Sequence, residues 1–96
     1  MKNVKFDLGS ITITSGVKDL IDEHFYRPNL LISMLNCFMS GDFGQLDKDD
    51  IELNHAAINE NYGRVMGIFN FDGITVWCMT HLGDNNYTTV LLPDEY

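Results

Sequence analysis

Basic residues are scarce in this chain. Six lysines and arginines stand against fourteen aspartates and glutamates, a formal net charge of −8 over 96 residues. A surface of that sign repels phosphates, so direct nucleic acid binding is disfavoured and a basic protein partner is favoured. Cysteine is scarce too. Cys37 and Cys78 each sit alone in an apolar run, so both read as small buried hydrophobes of a reducing compartment, with no disulfide framework. The two prolines, Pro28 and Pro93, read as boundaries, one opening a helix and one stopping a strand. No apolar run is long enough to span a membrane, and none follows Lys2 and Lys5 as a signal peptide would require, so the expected location is cytoplasmic. Repeats and low-complexity tracts are missing as well. With 45% hydrophobic residues, one domain over residues 1–96 with a modest core is expected.

What is present is periodicity. Val4, Phe6 and Leu8, then Ile11 and Ile13, alternate with polar residues, which predicts one bent strand or a small pair of strands. Val17, Leu20, Ile21, His24 and Phe25 recur at helical spacing behind a candidate N-cap, Ser15, and the helix breaks at Arg27-Pro28. A second helix is expected from Pro28 to Ser40. It is apolar almost all round and therefore central in the core or buried at an interface. Gly41 to Leu46 reads as a loop. Asp47 caps a third helix whose apolar stripe is Ile51, His55, Ile58 and Tyr62. Three strands follow, 64–71, 73–81 and 87–92, joined by Asp72-Gly73 and by a turn at 83–86. The expected fold class is α+β: N-terminal strand or strands, two to three helices, then a three-stranded antiparallel β-meander.

Candidate chemistry is thin. His24, His55 and His81 fall in no His-x-x-His spacing and the cysteines in no Cys-x-x-Cys spacing, so no metal is expected. Alternation puts Cys78 and His81 on opposite faces of one strand, which argues against a nucleophile–base pair. Gly41-Asp42-Phe43-Gly44 lacks the lysine of a phosphate loop and lies between helices. No cofactor and no catalytic residue is assigned.

Two features point to binding. The first is the acidic run Asp42, Asp47, Asp49, Asp50 and Glu52, a solvated helix start on the plainest reading and a docking face for a basic protein on the sharper one. The second is Trp77, which shares a strand face with Met79 opposite Ile74, Val76 and Cys78. A tryptophan–methionine patch on an uncovered sheet face would mark an interface with a partner or a second copy.

The tail carries a resemblance. Trp77, Thr80 and then Tyr87-Thr88-Thr89-Val90-Leu91-Leu92-Pro93-Asp94-Glu95-Tyr96 resemble the end of a family of small acidic bacterial proteins encoded on plasmids and other mobile elements. Ser40-Gly41-Asp42-Phe43-Gly44-Gln45-Leu46-Asp47 through Asp50, Asn54 and Ala57 are similar to that family's loop and acidic helix start. The match is best over 41–96 and departs at 81–86, where an acid–basic turn would be expected. The resemblance implies a mobile-element protein and brings no established activity with it. Together with the charge, it leads to the expectation of a non-enzymatic inhibitor of a host defence complex, of anti-CRISPR or anti-restriction type, that binds the basic surface of a nucleic-acid-processing effector. Two other classes stand beside it. One is a regulatory adaptor or homodimeric interaction module of a plasmid or phage, and the other is a small enzyme or nucleotide-binding protein.

Overall fold

Residues 4–23, 28–71 and 73–96 are described by the computed structural model. The order is β1 (Ser10–Ile13), α1 (Ser15–Glu23), α2 (Pro28–Met39), α3 (Lys48–Glu60), β2 (Gly63–Phe71), β3 (Ile74–Leu82), β4 (Tyr87–Leu91) and a closing 3-10 turn (Pro93–Glu95). The class is α+β. The sheet differs from the expected meander: it has four strands, ordered β1-β4-β3-β2, and is mixed. β2, β3 and β4 pair antiparallel, whereas β1 returns to lie parallel to β4, with Ile11 opposite Thr88 and Ile13 opposite Val90. A pairing between residues about eighty positions apart leaves no local mark on either strand.

Register sorts the side chains. Val65, Gly67 and Phe69 of β2 stand beside Thr80, Cys78 and Val76 of β3, and Val90 and Thr88 of β4 continue that face. α2 packs on it. Phe38, fully buried, meets Phe6, Phe43 and Phe69 edge to face with centroids 5.1, 6.1 and 6.3 Å away, and Met34 lies over Cys78. Gly67 makes room for this ring, since a Cβ there would stand 2.9 Å from Phe38. α2 is nonetheless not central. Met34, Leu35 and Phe38 are buried while Leu30 and Ile32 are exposed, because the helix lies on the sheet and offers it one face only.

The alternation of Ile11 and Ile13 is the strand β1, as expected, whereas that of Val4, Phe6 and Leu8 has a different cause. Residues 4–9 form no strand. They run as an arm whose Phe6 and Leu8 enter the core, tied by Lys5 N–H to the Met39 carbonyl (2.8 Å). The Thr88 hydroxyl donates to the Leu8 carbonyl (2.7 Å) and so must accept from the Thr80 hydroxyl (2.7 Å), because a hydroxyl has one proton to give. Both threonines are fully buried. Gly9 turns the arm into β1 at φ +65°, with the Asn86 carbonyl 1.9 Å from where a Cβ would stand, so only glycine fits.

Helix 1 is capped by Thr14 rather than Ser15. The Thr14 hydroxyl accepts from Val17 N–H at 3.4 Å, and no acid occupies the first turn. His24, Phe25 and Arg27, which were expected to complete and break this helix, lie outside the described residues, as does Asp72 of the expected hairpin turn.

Candidate functional site

Asp47 is the N-cap of α3, as its position suggested. Its carboxylate accepts from Asp50 N–H at 2.9 Å, satisfying one of the helix's unpaired donors. Asp42 is used locally as well, accepting from Gly44 N–H at 3.0 Å. That turn presents the loop to β2: Ile68 N–H donates to the Phe43 carbonyl (3.0 Å) and Gln45 N–H to the Ile68 carbonyl (2.7 Å). Gly44 sits against the Ile68 carbonyl at φ +69°, where a Cβ would come within 1.9 Å. The remaining acids, Asp49, Asp50 and Glu52, are exposed, and the first two lie in the first helical turn, where the helix dipole favours negative charge. The structure therefore brings the five acids onto one loop–helix segment and gives two of them structural duties.

The face of α3 that packs inward is not the expected one. His55 and Tyr62 are exposed, Ile51 and Ile58 are half-buried, and the buried positions are Asn54 and Ala57. Asn54 explains the rotation. Its amide donates to the Met66 carbonyl (2.7 Å) and accepts from Met66 N–H (3.0 Å), so α3 lies along the outer edge of β2 and closes backbone groups that an edge strand leaves open. A hydropathy pattern assigns asparagine to solvent. The one hint was Asn54 at position i, i+3 with Ala57, small enough to let a helix approach. Between α3 and β2 runs a groove of about 440 Å³, walled by Asp50, Leu53, Ala57 and Glu60 on the helix and by Tyr62 and Met66 opposite.

Trp77 lies on the other face of the sheet from Phe38, in register with Ile68 on one side and Leu91 on the other. Met79 shares that face and is buried, while Trp77 is half-buried. The tail folds back onto it. Tyr96 meets Trp77 edge to face at 5.6 Å, and Arg64 donates to the Tyr96 hydroxyl at 3.0 Å. Glu95 is the second fastening. It accepts from the Thr14 hydroxyl and from the N–H groups of Leu92 (2.9 Å) and Gly16 (3.1 Å). These bonds, that from Thr14 foremost, hold its carboxyl below the usual carboxylate value. The acidic tail thus caps α1 from a distance, a role its local sequence does not signal.

Cys78, His81 and His55 stay apart. Cys78 is buried under α2, its thiol pushed up to about 12 by desolvation, and so remains protonated at neutral pH. His81 points to the opposite face, exposed and stacked on Tyr87 at 4.6 Å. His55 rests its ring against Phe43 at 5.8 Å. Among the described residues no group of three or more His, Cys, Asp or Glu side chains is placed to hold a metal ion, and no helix is long and apolar enough to cross a membrane. No protein-family model, no curated protein and no solved structure matches the chain.

Proposed function

We propose that this chain works by binding rather than by catalysis: it is an acidic module that covers the basic surface of a nucleic-acid-processing effector, in the manner of an anti-CRISPR or anti-restriction inhibitor. The observation that carries the reading is the exposure of Asp49, Asp50 and Glu52 on a helix whose start is fixed by the Asp47 cap and whose inward face is pinned by Asn54. Carboxylates held on a rigid element present fixed negative charge, which speeds encounter with a basic surface and competes with phosphates for it. The net charge of −8 adds a long-range field of the same sign.

The test is capture from a cell extract by the tagged chain and by its Asp49→Lys, Asp50→Lys, Glu52→Lys variant, with Asp47 left in place to preserve the cap. A basic nucleic-acid-processing protein retained by the first and lost by the folded second supports the reading. Equal retention by both contradicts it.

A second reading, an adaptor or homodimeric module, is favoured by Trp77. Its ring is half-buried on a sheet face that also carries half-buried Met66 and Ile68. Trp77→Ala would then lower solution mass or partner affinity more than it lowers melting temperature.

A further inference from the structure

We infer that the groove between α3 and β2 seats one segment of the partner, a basic amphipathic peptide whose apolar anchor is flanked by lysines or arginines. The inference rests on the proposed reading of the chain as a binder of a basic protein and says where the contact is made and by what chemistry. Leu53 is 66% exposed and Tyr62 71% exposed, and both line the same concavity. Single exposed hydrophobes are ordinary on a protein surface. Two large ones facing one groove are an anchor site, because aromatic and aliphatic side chains that become desolvated on contact supply most of the energy of an interface.

The charges around them are ordered. Asp49, Leu53, Ala56 and Glu60 recur at i, i+4, i+7 and i+11 and are all exposed, so one stripe of α3 reads acid, apolar, apolar, acid. At a rise of 1.5 Å per residue the two acids stand about 16 Å apart along the axis. Of the acids, Asp50 and Glu60 stand on the groove wall itself, and Asp49 lies beyond its end on the same stripe. The complementary segment has an apolar residue at its centre and a cation toward each end. A bare run of lysines would satisfy the carboxylates and leave Leu53 and Tyr62 wet. Among the described residues that line the groove there is one cation, Arg64, and it is drawn to the Tyr96 hydroxyl.

The groove is also preformed, which reduces the ordering cost of binding. Asn54 fixes one wall to the other through its two bonds to the Met66 backbone. Asn61, left-handed at φ 52°, ends α3 and sets Tyr62 at the mouth, with Tyr62 N–H donating to the Ala57 carbonyl at 3.1 Å.

The experiment measures fluorescence anisotropy of three labelled peptides: an amphipathic leucine–lysine peptide, an oligolysine of equal charge, and the leucine–glutamate counterpart of the first. Each is titrated with the wild-type chain, with Leu53→Ser, with Tyr62→Ser, and with the triple lysine variant above. The expected result is tightest binding of the leucine–lysine peptide to the wild type. Either serine variant should weaken it at least tenfold, about 1.4 kcal/mol, with oligolysine binding unchanged. Both sites are exposed, and circular dichroism confirms the fold of each variant. Leucine–lysine binding unchanged by Leu53→Ser and Tyr62→Ser, yet lost in the triple variant, overturns the groove and leaves the acidic reading standing. No binding of either lysine peptide overturns both, and equal binding of the glutamate peptide overturns the charge complementarity.

Discussion

Removing the Asn54 side chain should cost this protein a large share of its stability. Asn54 is 3% exposed and makes two hydrogen bonds, to the N–H and to the C=O of Met66. Asn54→Ala takes away both and leaves two backbone groups on an edge strand without partners. Each orphaned group costs about 1–3 kcal/mol when water cannot reach it. Met66 is half-buried, so the lower part of that range applies, and a total of about 2–4 kcal/mol is expected. A chain of this length has about 5–14 kcal/mol in all, so the loss takes about two-fifths to four-fifths of the stability at the lower end of that range and about a seventh to two-sevenths of it at the upper end. Asn54→Asp separates the two bonds. It keeps the acceptor for Met66 N–H but sets a second oxygen against the Met66 carbonyl, and it should be at least as damaging. Urea unfolding of both variants gives the free energies, and amide exchange at Met66 reports the clamp directly. A loss below about 0.5 kcal/mol for Asn54→Ala, or undiminished protection of the Met66 amide, would refute the assignment of this residue as the link between α3 and the sheet.

Two other outcomes follow from the packing and the tail. Gly67→Ala places a methyl 2.8 Å from the Phe69 ring and 2.9 Å from Phe38, and should destabilise by about 1–3 kcal/mol in thermal unfolding, with Phe38→Leu in the same chain recovering part of the loss. Glu95 titrates below its ordinary value when folded, so the unfolded chain binds the proton more readily. Its contribution is present above about pH 4.3 and is lost as pH falls through the lower folded value. Glu95→Gln should therefore flatten that part of the stability–pH curve, and an unchanged acid limb would show that the tail is not fastened to α1 through this carboxylate.

The sequence pattern carries the antiparallel strands well, for a local reason. Alternation over 64–71 and 73–81 sets faces as well as strands, and Phe71 opposite Ile74 and Phe69 opposite Val76 follow from a tight connection at 72–73. The shared face of Trp77 and Met79 is legible on the same ground. The Asp47 cap is legible because its chemistry is confined to four residues. What escapes is non-local or polar. β1 pairs with β4 across the whole chain. The arm of Phe6 and Leu8 alternates like a strand because an extended chain entering a core also points every second residue inward. Asn54, Thr80 and Thr88 are buried because partners satisfy them, and a hydropathy pattern has no term for a satisfied polar group. Glu95 serves a helix that begins eighty residues earlier. Of the candidate site, the acids were visible as a charge run, whereas the Leu53–Tyr62 groove was not, because the expected stripe turned Tyr62 inward and left Leu53 unremarked.

Under the proposed function, this chain and nucleic acid contend for one basic surface. The direct measurement takes the captured effector and follows its association with the chain over a range of ionic strength, with and without its nucleic acid bound. Association should slow steeply as salt shortens the Debye length from about 30 Å at 0.01 M to about 8 Å at 0.15 M, and chain and nucleic acid should displace each other. A stable ternary complex, formed at a rate indifferent to salt, would contradict it.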